Sequence, residues 1–259
     1  MIEEIDEGFF LGGNGSWNWF HFIIEILPKL VLLEPNTTKK ILVSETVEMI
    51  PSMGMILNYI NKGRFEVVFL KRSLSYKVGK LFYINDFNHV QFNRFDNLIK
   101  AEGTYYNMKL TTVYSDLLLN EISNIKKTPT HIFLYRKNTH RIAKNQDEIF
   151  EYLQNYGFET ICMEELTFVE QVNIFRNAKF IIGISGAAWA NLIFCRNKPK
   201  AICFIPSNAK DFSVFSNLAK IFDVKLFNQL YENNQHHYSS EFEINFVEFK
   251  KLFKSLLNE

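Results

Sequence analysis

HIFLYRKNTHRIAKNQDEIFEYLQNYGFETICMEELTFVEQVNIFRNAKFIIGISGAAWANLIFCRNKPKAICFIPS (131–207) alternates short apolar runs with amphipathic ones, and that alternation decides the fold. HIFLY (131–135) predicts a strand, NQDEIFEYLQNY (145–156) has helical spacing that stops at Gly157, and FETIC (158–162) is a second strand. Thr167 caps a helix over FVEQVNIFRNA, AKFIIGIS (178–185) is a third strand, and GAAWAN (186–191) opens a helix that leads to the strand AICFIP (201–206). Strands joined through helices are parallel, because an antiparallel pair needs only a hairpin, and parallel sheets receive ligands at the carboxyl ends of their strands. Arg136, Arg141 and Ser185-Gly186-Ala187 fall at those ends.

Toward the amino terminus, KILVS (40–44), FEVVFL (65–70) and KLFYI (80–84) read as strands, and VEMIPSMGMILNYINK (47–62) as helix broken near Pro51. Residues 86–109 are polar and aromatic with no clean period, and LTTVYSDLLLNEISNIK (110–126) is helical. Pro129 disfavours helix in the residue before it, so KKTPT (126–130) reads as a linker. The expectation is an α/β protein of two Rossmann-like lobes with parallel sheets, 1–128 and 129–259. Beyond 207, DFSVFSNLAKIF (211–222) predicts a helix, VKLF (224–227) a strand and 228–241 a polar loop. INFVEFKKLFKSLL (244–257) gathers Phe246, Phe249, Leu252, Phe253, Leu256 and Leu257 on one stripe opposite lysines. Such a helix suits packing within the protein, back on the first lobe, and its basic face also suits a membrane surface.

With 259 residues, 47% of them hydrophobic, the chain is able to bury a full core. A formal charge of +1 provides no global field for nucleic acid or anionic lipid. Cys162, Cys195 and Cys203 are odd in number and lack metal-ligand spacing, so buried reduced thiols in a reducing compartment are expected. MIEEIDEGFF at the start is acidic and unlike a signal peptide, and Glu25, Pro28 and Lys29 interrupt the apolar segment 20–33 too soon for a membrane span. A cytoplasmic protein is the expectation. Its 26 phenylalanines have no cause visible in the sequence.

Two places carry candidate chemistry. After the turn Gly12-Gly13-Asn14-Gly15-Ser16, the segment WNWFHFIIEILPKLVLL predicts a helix capped by Ser16 or Asn18, with a kink or an end near Pro28. His21 and Glu25 are four residues apart on it and share a face, so they are able to hydrogen-bond among apolar neighbours, as a functional pair or as a satisfied structural one. The second place is Ser185-Gly186-Ala187-Ala188, where a helix amino terminus with small residues fits an anion, and Arg136 and Arg141 would add charge-assisted bonds to the same phosphates. Neither G-x-G-x-x-G nor a P-loop is present. A rival reading takes Gly183-Ile184-Ser185-Gly186-Ala187 as a nucleophile elbow, with Asp211 or Asp223 and His236 or His237 completing an esterase triad.

NWFHFIIEILPKL (18–30), with an aromatic residue before His, a short apolar run, Glu and Leu-Pro, resembles the amino-terminal motif of glycosyltransferase family 61. YRKNTHRIAKNQDEI (135–149) is similar to the family's arginine-bearing opening, and residues 156–194 to its long signature through Glu-Leu, Glu-Gln and Gly-Ala to Asn. The likeness covers 12–34 and 131–206, and this chain has Ser185 where members commonly have His before Gly-Ala. The resemblance implies a GT-B-like transferase of the bacterial capsule or lipopolysaccharide type, inverting and independent of metal, with no cofactor beyond a nucleotide-sugar substrate, UDP- or CMP-linked. It puts the donor on the carboxyl-terminal lobe, at Arg136, Arg141, Glu165, Ser185, Gly186, Ala187, Ala188 and Asn191. The acceptor, a glycan or lipid-linked glycan, is put on the amino-terminal lobe beside Asn14, Trp17 and Asn18, with His21 as first choice for the base and Glu25 as second. The partners implied are these substrates, with peripheral attachment at the inner face of the membrane or to other polysaccharide-assembly enzymes, and no nucleic acid. A nucleotide- or glycan-binding module without turnover is the remaining alternative.

Overall fold

The computed structural model describes residues 2–90, 103–125, 127–137, 142–232 and 242–258. The chain divides into two compact units, one within 1–93 and 102–123 and the other within 124–259. Each is α/β, built on a parallel sheet with helical crossovers.

In the first unit the strands β1 (Ile2–Leu11), β2 (Lys40–Ser44), β3 (Glu66–Leu70) and β4 (Ser75–Phe82) form a sheet in the order β3-β2-β1-β4, every pair parallel. Beside it lie α1 (Trp19–His21), α2 (Glu45–Met49), α3 (Pro51–Asn61), the antiparallel ribbon β5 (Asn88–His89) with β6 (Tyr105–Tyr106), and α4 (Met108–Glu121). β1 is absent from the sequence reading for a physical reason. Glu3, Glu4, Asp6 and Glu7 give it no apolar alternation, and its burial begins only at Gly8 and Phe9, where β2 joins it. β4 starts at Ser75, before the expected 80–84, because it pairs with β1 from Ile2 onward. Pro51 divides α2 from α3 as its missing N–H requires, standing in the first turn of α3. The chain fills the sheet from β1 to β3 on one side and then places β4 on the other. The carboxyl ends of β1 and β4 therefore flank a topological switch point, the usual place for a ligand in an open parallel sheet.

In the second unit β7 (His131–Leu134), β8 (Glu159–Ile161), β9 (Phe180–Ile184), β10 (Lys200–Pro206) and β11 (Lys225–Tyr231) run parallel in the order β11-β10-β9-β7-β8. The helices are α5 (Gln146–Gln154), α6 (Phe168–Asn177), α7 (Val214–Ile221) and α8 (Phe246–Leu257), with a 3-10 helix over Ala187–Phe194. Here the switch point lies between β7 and β9. The expected loop over 228–241 is partly strand, because β11 stays in register with β10 as far as Tyr231, opposite Pro206.

Many of the phenylalanines meet in this second core. Phe133, Phe158, Phe180 and Phe204 from the sheet side pack with Phe249 and Phe253 of α8. Ring centroids lie 5.5 Å apart for Phe180 and Phe253 and 5.6 Å for Phe204 and Phe249, within aromatic contact range. The buried stripe of α8 thus covers the core of its own unit. Cys195 and Cys203 are buried there too, and burial pushes both thiols up, with the Arg136 guanidinium opposing the rise at Cys203. Among the described residues no helix is long and apolar enough to cross a membrane.

Candidate functional site

At the switch point of the first unit, Gly12 to Ser16 turn the chain out of β1 and Asn18 caps α1 with its carboxamide oxygen, which accepts from the Phe20 N–H at 2.9 Å. The helix then widens into a π turn over Phe22–Ile26, closed by the Leu27 N–H on the Phe22 carbonyl, and tightens to 3-10 over Leu27–Val31. Single π turns of this kind recur at functional sites. Pro28 makes the break. A regular helix would satisfy the Ile24 carbonyl with the N–H of residue 28, which proline lacks, and the amide of Asn88 takes its place at 2.7 Å. Asn88 is wholly buried, and its oxygen accepts from the Asn107 N–H at 2.9 Å and the Thr111 hydroxyl at 3.1 Å.

That anchor places the next two residues against Glu25. The Val90 N–H donates to Glu25 Oε1 at 2.7 Å and His89 Nδ1 lies 3.8 Å from the same oxygen, while Glu25 Oε2 meets His21 Nδ1. Both His21 and Glu25 are buried, so their mutual contact and the Val90 amide offset the cost of removing them from water. A carboxylate at Nδ1 keeps the proton on that nitrogen and leaves Nε2 as the basic one. Gly15, at φ 76°, packs on the imidazole, where a Cβ would come within 2.9 Å of His21 Cγ. Burial, and then the nearby Glu25 charge, hold the Tyr106 phenol well above its ordinary range, so it is a neutral donor. Lys29, also buried, pairs with Asp86 at 2.5 Å and donates to the Gly12 carbonyl at 3.3 Å, tying the loop after β4 to the loop after β1. Asn14 and Trp17 are exposed on the turn before the helix.

At the switch point of the second unit, Arg136 follows β7 and is locked by Gln146. Its N–H donates to the Gln146 carboxamide oxygen at 3.0 Å, and the Gln146 amide returns a bond to the Arg136 carbonyl at 3.1 Å. The guanidinium reaches across to the Ser185 carbonyl at 2.6 Å, just after β9. Gly186 permits this approach, since a Cβ there would lie 1.8 Å from Arg136 Nη2. The N–H groups of Gly186, Ala187 and Ala188 stand ahead of the first bond of the 3-10 helix, from the Trp189 N–H to the Gly186 carbonyl at 3.1 Å. Asn191, wholly buried, donates to Gln171 at 3.4 Å, and Gln171 donates to the Met163 and Leu166 carbonyls at 3.1 and 3.2 Å. The turn held in this way carries Glu165, whose carboxylate pairs with Lys137 at 2.8 Å and raises the lysine above its usual range.

The structure thus brings Arg136 onto Ser185 and Gly186, and links Asn191 to the turn that bears Glu165. Arg141 lies outside the described residues, as do His236 and His237. Ser185 lacks the positive φ of a strained elbow: the non-glycine residues with that backbone are Lys62, Lys198 and Asp223 among those described. Asp223 is exposed and pairs with Lys198 at 3.4 Å, and Asp211 is exposed. Among the described residues no group of three or more His, Cys, Asp or Glu side chains is arranged to hold a metal. Sequence reasoning missed Asn88, His89, Lys137, Gln146 and Gln171, polar residues whose importance comes from tertiary neighbours. The one sequence signal for Asn88 was Pro28, which frees a carbonyl that something must bind.

Over 126 residues, 46% of this chain, the sequence is 28% identical to the EGF domain-specific O-linked N-acetylglucosamine transferase of Drosophila melanogaster, and the match spans 24% of that relative's length. Residues 19–203 match the family model described as Glycosyltransferase 61, a span that contains His21 and Glu25 as well as Arg136, Ser185 and Asn191. The chain belongs to glycosyltransferase family 61.

Proposed function

We propose that this chain is an inverting glycosyltransferase that moves a sugar from a UDP- or CMP-linked donor to a hydroxyl of a glycan acceptor in cell-surface polysaccharide biosynthesis of the capsule or lipopolysaccharide type. The observation that carries the reading is the Arg136 guanidinium held on the Ser185 carbonyl, beside the amino terminus of the 3-10 helix at the switch point between β7 and β9. Fixed cationic and N–H donors at that place suit the phosphates of a departing nucleotide and would neutralise them without a metal. The name of the Drosophila relative supports sugar transfer as the reaction. The odd number of cysteines, without metal-ligand spacing, supports a reducing compartment, and the reading places the protein in the cytoplasm, peripheral to the membrane's inner face.

The reaction is a single displacement. His21 Nε2 takes the proton of the acceptor hydroxyl as that oxygen attacks the anomeric carbon, and the bond from that carbon to the phosphate oxygen breaks. The nucleotide leaves with the bonding pair, as diphosphate from a UDP-sugar or monophosphate from a CMP-sugar. Glu25 holds the imidazole by Nδ1 and stabilises the imidazolium that forms. A thermal-shift series with UDP, CMP, GDP and their sugars tests the reading, since a ligand of the folded state raises its melting temperature. A rise with UDP or CMP compounds that Arg136→Ala diminishes is the expected result. Absence of any rise would overturn a transferase, and a rise without turnover on any glycan would leave a binding module.

A further inference from the structure

Two ring-bearing side chains of the β5–β6 ribbon are exposed and held in place. Tyr105 is 52% exposed and the His89 side chain 46% exposed, and they face each other across the β5–β6 ribbon with centroids 5.6 Å apart and planes inclined by 31°. The tyrosine hydroxyl donates to the Asp86 carbonyl at 3.4 Å, and Asp86 is fixed by its 2.5 Å pair with Lys29, which is only 4% exposed. A buried lysine therefore anchors the loop that carries the Tyr105 contact. His89 Nδ1 at the same time lies 3.8 Å from Glu25 Oε1.

We propose that the His89–Tyr105 ring pair is a stacking subsite for a pyranose ring of the acceptor. Its place beside the base rests on the transferase reading above. A pyranose has an apolar C–H face that packs on a fixed aromatic face by dispersion, and a rim of hydroxyls that needs polar groups alongside. The ring pair provides the first, and the nitrogen edge of the half-exposed His89 imidazole provides the second. A polypeptide acceptor fits less well. Extended peptides dock by adding a strand to a sheet edge, and β5 and β6 offer only two residues each.

Saturation-transfer NMR on the full chain tests this with methyl glucopyranosides, methyl galactopyranosides and, as a polypeptide-type probe, N-acetylthreonine N-methylamide. The expected result is saturation of ring C–H protons in at least one pyranoside, weakened about three- to tenfold in Tyr105→Ala and His89→Ala and kept in Tyr105→Phe. Circular dichroism melts establish that the variants are folded, and His89→Ala carries the test should Tyr105→Ala unfold. No saturation by any pyranoside, equal saturation in wild type and Tyr105→Ala, or preference for the threonine amide would overturn the subsite. UDP and CMP calorimetry separates this from the transferase reading. Nucleotide binding without pyranoside saturation sinks only the subsite, whereas Tyr105-dependent saturation without nucleotide binding supports the subsite and sinks the transferase.

Discussion

Pro28 shows how one residue sets the geometry of a site it does not enter. It deprives the Ile24 carbonyl of its helical donor, Asn88 supplies a new one at 2.7 Å, and the two residues after Asn88 thereby meet Glu25. Asn88→Ala should leave the Ile24 carbonyl and the Thr111 hydroxyl short of a partner in a buried place, while the Asn107 N–H keeps the Phe87 carbonyl at 3.1 Å. The expected loss is about 1–3 kcal/mol in urea unfolding, with turnover falling further than the folded fraction because Glu25 loses its support. Turnover that only tracks the folded fraction would make the anchor structural alone. Gly186 is the matching residue in the second unit. A methyl group there would occupy the path of Arg136 Nη2, so Gly186→Ala should weaken nucleotide binding as Arg136→Ala does, by about 1.5–3 kcal/mol for a desolvated charged contact. Calorimetry that finds the Kd unchanged in both variants would remove Arg136 from the site.

At the scale of elements, Thr167 starts α6 with a reciprocal cap: its hydroxyl receives the Glu170 N–H at 3.3 Å, and the Glu170 carboxylate receives the Thr167 N–H at 2.8 Å. The Thr167 hydroxyl and N–H hold that carboxyl below its usual range, so its contribution is complete above the ordinary carboxylate value and lost as pH falls through the lower folded one. Thr167→Ala should cost about 1 kcal/mol and reduce that acid-side loss, since alanine keeps the backbone N–H that the Glu170 carboxylate receives. His131 in β7 acts in a different window. Burial, and then the charge of Lys179, lower its imidazole below the ordinary value of about 6.5, so the unfolded chain takes up the proton first. Stability from this group is full above that value and lost as pH falls through the lowered folded one. His131→Phe keeps ring contact with Phe158 and Phe180, and its melting temperature should fall less than that of wild type between pH 7.5 and 5. An equal fall would clear His131 of the effect. The cap and β7 were legible in the sequence because both are local: a Thr followed three residues on by Glu, and a short apolar run bounded by polar residues. β1 was not, since its acidic half is held by the parallel partner β4 rather than by burial, nor was the π turn, whose carbonyl is satisfied from residue 88. The site divides in the same way. His21, Glu25, Arg136 and Gly186 stood out by type and spacing, whereas Gln146 and Gln171 matter only for the backbone groups they meet.

At the scale of the whole chain, each sheet places its candidate chemistry at its own switch point, and the two sets are of different kinds. The His21–Glu25 pair lies beside β1, and cationic and N–H donors lie beside β7 and β9. Substitutions should therefore separate proton transfer from nucleotide binding. His21→Ala is expected to lower turnover by roughly 100-fold or more while UDP or CMP affinity is kept, because proton removal contributes only in the transition state. Glu25→Gln should do less, since it preserves shape and a hydrogen-bonding oxygen but loses the charge that favours imidazolium. If Glu25 is itself the base the order reverses, with Glu25→Gln nearly inactive and His21→Asn partly active. Arg136→Ala should behave in the opposite manner, with weakened nucleotide binding and activity recovered in part at high donor concentration. Rates, calorimetry and melting curves on the same preparations distinguish these cases from a purely structural pair, for which each variant melts lower and residual activity follows the folded fraction. Near-normal turnover in folded His21→Ala and folded Glu25→Gln alike would show that the base lies elsewhere in the chain.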